Sequence, residues 1–116
     1  MSLLWEQTIV KARDPGALGR WWCDALGWVV VDEGPGEFEI RASADQMPGL
    51  LFVAVDQLEE AKGRLHLDFR PDDQAAEVER LQRLGAVRAD VGQGEHSWVV
   101  LLDPEGNEFC VLRSEG

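Results

Sequence analysis

Two segments of this chain follow one plan, and that repeat constrains the fold more than any other feature. Asp14-Pro15-Gly16-Ala17-Leu18 leads into Trp21-Trp22-Cys23-Asp24-Ala25-Leu26-Gly27-Trp28, and Asp72-Asp73-Gln74-Ala75-Ala76 leads into Leu81-Gln82-Arg83-Leu84-Gly85-Ala86. Each is an acidic helix start, an amphipathic run and a Leu-Gly stop, flanked by strand-like stretches. Self-similarity of this kind means one supersecondary unit built twice. The 116 residues suit one compact domain. The repeat therefore predicts two copies of a small β/α module, with an active cleft between them.

The local signals fill in the modules. Leu4 to Ala12 alternates as a first strand. Asp14 is a good N-cap, and Pro15 suits the first helical position. Leu18, Trp21, Trp22 and Ala25 share a helical stripe, and Gly27 is placed to stop the helix. Trp28 to Asp32, Glu37 to Arg41 and Leu50 to Val55 read as three strands. In the second half, Arg64 to Arg70 alternates with Leu65, Leu67 and Phe69 on one face and His66, Asp68 and Arg70 on the other. Ala75, Val78, Leu81 and Leu84 give the next helix its inner side, and Gly85 closes it. Val87 to Val91, Trp98 to Leu102 and Glu108 to Leu112 complete the set. Asp103-Pro104-Glu105-Gly106-Asn107 is a turn, since Pro fixes φ while Gly and Asn tolerate positive φ.

Charge narrows the partners. With 22 acidic against 11 basic residues the net charge is −11, which excludes a nucleic-acid partner held by phosphate attraction. It leaves open a solvated acidic surface or a preference for cationic ligands. No apolar run approaches the ~20 residues of a membrane helix, so no membrane partner is expected. Two cysteines, Cys23 and Cys110, make no disulfide framework, and a cytoplasmic setting is expected. Met1-Ser2-Leu3 and Glu115-Gly116 read as cloning flanks, with no signal segment ahead of the first strand.

The paired β-α-β-β-β plan, the His66-Leu67-Asp68 strand and the closing Asp103-Pro104-Glu105-Gly106-Asn107-Glu108-Phe109 stretch resemble the vicinal oxygen chelate superfamily. Its members include glyoxalases, bleomycin-binding resistance proteins and extradiol dioxygenases, and the chain looks most like the small glyoxalase-like proteins. The resemblance implies an α+β fold in which two β-α-β-β-β modules form a curved eight-stranded sheet with helices on the outer face. The single domain would span residues 4–113, with module one at about 4–56 and module two at about 64–113. It also implies a ligand cavity on the concave side and a homodimer.

The metal-dependent members place a ligand on the first and fourth strand of each module. Carried onto this chain, those positions are Gln7, a residue within Leu50 to Val55, His66 and Cys110, the last where active members have Glu. Glutamine is a weak ligand, histidine an excellent one, and the apolar strand offers none. Catalytic zinc sites usually need three good protein ligands, so a divalent metal is disfavoured here and no other cofactor is assigned.

The cavity residues expected on this reading are Trp5, Gln7, His66, Asp68, Arg70, Trp98, Glu108 and Cys110. Trp5 and Trp98 suit stacking on a flat or cationic ligand, or else plain packing or a dimer contact. Asp68 and Arg70 suit ligand orientation, or else a local salt link. His96 is a loop residue that would be solvated or would gate the cavity. Three functions fit. The first is a small-molecule-binding protein of unassigned chemistry. The second is a metal-dependent glyoxalase-type lyase or dioxygenase with His66 as base or ligand. The third is a dimer that sequesters a cationic antibiotic.

Overall fold

The computed structural model describes residues 4–56, 67–89 and 97–114. They belong to two compact units, residues 1–64 and 65–116. The described elements are α+β: two helices and two four-stranded mixed sheets.

The first unit runs β1 (Gln7–Ala12), α1 (Pro15–Leu26), β2 (Val29–Gly34), β3 (Glu37–Arg41) and β4 (Gly49–Ala54). Its sheet order is β1-β4-β3-β2, with β1 parallel to β4 and the other pairs antiparallel. The parallel pair needs a crossover, and α1 with the β2–β3 hairpin lies within it. Asp14 caps α1 by accepting from the Ala17 amide at 3.1 Å, and Pro15 fills the first turn. Gly27 ends the helix at φ 70°, its amide bonded to the Cys23 carbonyl at 2.9 Å. Leu18, Trp22 and Ala25 are buried with Phe38, Ile40, Leu50 and Phe52 of the sheet. Trp21 is only half-buried and meets Trp22 edge-on, with ring centroids 5.0 Å apart. Gly19 is buried as well, because a Cβ there would run into the Phe38 ring.

The second unit repeats this order: β5 (Leu67–Phe69), α2 (Gln74–Arg83), β6 (Val87–Arg88), β7 (Val99–Leu102) and β8 (Glu108–Val111). Its sheet order is β5-β8-β7-β6, again with a parallel first-to-fourth pair. Asp73 caps α2 through the Ala76 amide at 3.1 Å. The Gly85 amide reaches Gln82 and the Ala86 amide reaches Leu81, each at 3.0 Å. Val78 and Leu81 are buried, as are Leu101, Phe109 and Val111, and Phe69 meets Phe109 edge-on at 6.1 Å.

Several expectations shift. β1 starts at Gln7, so Trp5 precedes the strand, and strand alternation does not put it on the face of Gln7. Ala75 and Leu84 do not join the inner side of α2. Both are exposed, because this helix spans 10 residues and Leu84 is already its C-cap. Among the described residues β6 is Val87–Arg88, and Ala89 is already outside it. The start of the fifth strand, including Leu65 and His66, and the end of the sixth lie outside the described residues, as does His96.

Candidate functional site

Strand register decides which side chains share a surface. In the first unit, Phe38, Ile40, Leu50 and Phe52 take the face toward α1, so their neighbours take the other. The pairings Gln7↔Gly49, Ile9↔Leu51 and Lys11↔Val53 set successive rungs across β1 and β4 on that far face. Glu39 pairs with Leu51 from β3, and Asp32 pairs with Glu39 from β2. The far face is therefore apolar in the middle, at Ile9, Leu51 and Val53, and acidic toward β2.

Arg41 organises its end. Its guanidinium meets Glu39 through Nε at 3.1 Å and Nη2 at 3.0 Å, donates from Nη1 to the Ala44 carbonyl at 3.3 Å, and lies 3.6 Å from Glu6. The side chain runs over Gly49, where a Cβ would come within 2.9 Å of Arg41 Cγ and 2.7 Å of the Ile40 carbonyl. Gly49 is thus the residue that lets Arg41 lie beside the Gln7 rung. Nothing in the sequence pattern announces this contact, since it depends on cross-strand register.

In the second unit, Asp68 stands opposite Cys110 on the parallel β5–β8 pair, and Val100 stands opposite Cys110 on β7. By alternation Glu108 shares that face, away from Phe69, Phe109 and Val111. Cys110 is buried, and its thiol titrates above the ordinary range. Burial is the main cause, followed by the Asp68 charge, a hydrogen bond to Asp68 and the Glu108 charge. Cys110 is therefore a neutral thiol at neutral pH, held against a carboxylate.

Of the other expected residues, Arg70 is exposed and its guanidinium donates to the Arg113 carbonyl at 2.9 Å. Trp98 precedes β7 and is 42% exposed, while Trp5 is 69% exposed. The structure thus brings Asp68, Cys110 and Glu108 onto one sheet face. Gln7 belongs to the other unit, and His66 lies outside the described residues.

The positions that would hold a metal can now be tested by register. Ile9↔Leu51 in β1–β4 corresponds to Asp68↔Cys110 in β5–β8, because both pairs start from the strand residue five before the helix N-cap. Leu51 is therefore the counterpart of Cys110, and it has no donor atom. Cys110 offers a thiol whose ionisation burial and the Asp68 charge oppose, so a metal there would have to displace its proton. Gln7 has a guanidinium lying over its paired residue, so a positive charge is already present beside that rung. Among the described residues no group of three or more His, Cys, Asp or Glu side chains is placed to hold a metal ion. Within the first unit, neither Leu51 nor the Arg41-flanked Gln7 is a good ligand for a divalent metal.

The closing motif has a structural role. Asp103 is buried, and its carboxylate accepts from the Glu105 and Asn107 amides at 2.9 and 3.0 Å. It also accepts from the Asn107 side chain at 2.9 and 3.1 Å. Gly106 adopts φ 81° and donates to the Asp103 carbonyl at 2.9 Å. The motif ties the β7–β8 hairpin and uses up its own acid.

Comparison with known proteins agrees with this architecture. The trypanothione-dependent glyoxalase I of Leishmania major superposes with a TM-score of 0.72 at 13% identity, covering 97% of this chain and 87% of that one. The fosfomycin resistance protein FosX of Mesorhizobium loti gives 0.70 at 15% identity, covering 99% and 94%. The bleomycin resistance determinant encoded on transposon Tn5 gives 0.65 at 18% identity, covering 95% and 97%. At these identities the likeness is one of fold. A comparison with curated proteins gave no match. The family model of a glyoxalase-like domain matches residues 7–112, nearly the whole chain, and the chain belongs to that family.

Proposed function

We propose that this chain is a small-molecule-binding protein of the glyoxalase-like family that takes a cationic, flat ligand and lacks a complete metal site. The observation that carries the reading is the Asp68–Cys110 pair. Asp68 and Cys110 stand side by side on one sheet face, a carboxylate next to a buried thiol that is hard to ionise. A fixed carboxylate with Glu108 nearby suits an ammonium or guanidinium group. Trp98 of the same unit offers an exposed indole surface for stacking. The net charge of −11 favours approach of a cation over long range. The free thiols of Cys23 and Cys110 agree with a cytoplasmic setting, and the proposal includes a homodimer, testable by sedimentation.

The test is a tryptophan-fluorescence titration with metal-free bleomycin, a cationic molecule with a flat aromatic segment. Saturable quenching at micromolar concentration supports the sequestering form of this reading. No response up to ~100 μM removes it, because useful sequestration needs micromolar or tighter affinity. A metal-dependent lyase or dioxygenase built on His66 would instead show bound metal and metal-stimulated turnover.

A further inference from the structure

Gln74 is the first residue of α2, just after the Asp73 cap. A glutamine there would be satisfied by solvent, yet this one is used on three sides. Its backbone amide donates to the Ser114 hydroxyl at 3.0 Å. Its side-chain nitrogen donates to the Val111 carbonyl at 3.1 Å and to the Ser97 carbonyl at 2.9 Å. Val111 is 1% exposed, so its carbonyl has little access to water and depends on a protein partner. One amide group therefore fastens the end of β8 to the residue directly before Trp98. Trp98 lies outside the β7–β8 ladder, whose pairing begins at Val99↔Val111. The backbone bond at Ser97 thus holds Trp98 from its N-terminal side, while the ladder holds it from the other.

We propose that Gln74 is a positioning residue that sets the placement of Trp98. This rests on the reading of Trp98 as a ligand-stacking residue only for its functional consequence. The placement itself is a property of the free protein. Gln74 does not touch the ligand. It keeps a large, partly exposed indole in one position, which lowers the entropy lost when a flat ligand stacks on it.

The test uses the full chain labelled with 5-fluorotryptophan, whose five indoles give separate fluorine resonances. A Trp98→Phe variant assigns the Trp98 signal. Gln74→Met keeps the length of the side chain and removes both donors. Gln74→Glu keeps the shape and sets an acceptor against two carbonyls. Both variants are expected to shift or broaden the Trp98 resonance while those of Trp21, Trp22 and Trp28 stay in place. That pattern separates positioning from general loosening of the fold, which would move all of them. An unchanged Trp98 resonance in both variants overturns the proposal. With bleomycin as the probe, Gln74→Met is expected to weaken binding several-fold, with no further loss when added to Trp98→Ala. If Trp98→Ala alone leaves bleomycin affinity unchanged, the stacking role falls, and the fluorine spectra still decide the placement.

Discussion

Cys110 stands directly opposite Asp68 on the parallel β5–β8 pair, with its thiol hydrogen-bonded to the carboxylate. The matching pair in the first unit is Ile9 and Leu51, two aliphatic side chains. The same backbone position thus carries a thiol–carboxylate pair in one half and an apolar pair in the other. The Ile9–Leu51 pair has no donor atoms, so the two units differ in chemistry at a shared register position.

The raised thiol gives a direct titration. In a Cys23→Ser background, absorbance of the Cys110 thiolate should develop above pH ~8.5, where an ordinary thiol ionises. Asp68→Asn should bring the midpoint down, since it removes a charge and a hydrogen bond that both favour the protonated form. The folded thiol titrates above the unfolded one. Its contribution to stability is therefore present at neutral pH and is lost as pH rises from about 8.5 through the folded value. Denaturation midpoints compared with those of Cys110→Val should show that alkaline loss only in the cysteine protein.

The Asp103 turn should act on stability and leave binding alone. Asp103→Ala removes the buried acceptor of four part-buried hydrogen bonds, and about 2–3 kcal/mol of stability should be lost in urea denaturation. Asp103→Asn should cost less, because one oxygen still accepts.

Gly19 tests the packing of α1 on its sheet. Alanine is the better helix former by about 1 kcal/mol. Here its methyl would run into the ring of Phe38, which is 1% exposed and has the Arg20 guanidinium carbon 4.9 Å from its centroid. Overpacking costs of about 1–3 kcal/mol should outweigh the propensity gain. Gly19→Ala should therefore unfold at lower denaturant than the parent chain.

A cationic ligand held by Asp68 should bind more weakly in salt. On the proposed reading, Asp68→Asn should reduce bleomycin affinity by about tenfold at low ionic strength, or ~1.4 kcal/mol. The difference from the parent chain should shrink at 0.5 M salt, as screening shortens the reach of exposed charges. Titration of both proteins at the two salt concentrations checks this.

Much of this fold was legible in the sequence because its signals are local. Asp14, Pro15, Gly27 and Asp73 do their capping through bonds within a few residues, and Asp103 to Asn107 closes on itself. The contacts that shape the candidate site are different in kind. Arg41 over Gly49, the correspondence of Leu51 with Cys110, and Gln74 reaching Ser97 and Val111 all depend on which residues meet across strands or between a helix and a sheet. Alternation assigned Asp68 and Cys110 to plausible faces, but only register paired them. Leu84 was misread because the apolar stripe of α2 extends one residue past its last helical turn.

We propose that the glyoxalase-like architecture is kept without a complete divalent-metal site, since Leu51 has no donor atom and Gln7 is a weak ligand. Metal analysis of untagged protein, purified without chelators and then dialysed against zinc, nickel or iron(II), tests it most directly. The account predicts well below one equivalent of any divalent metal, unchanged in His66→Ala. One tightly held equivalent that disappears in His66→Ala would contradict it.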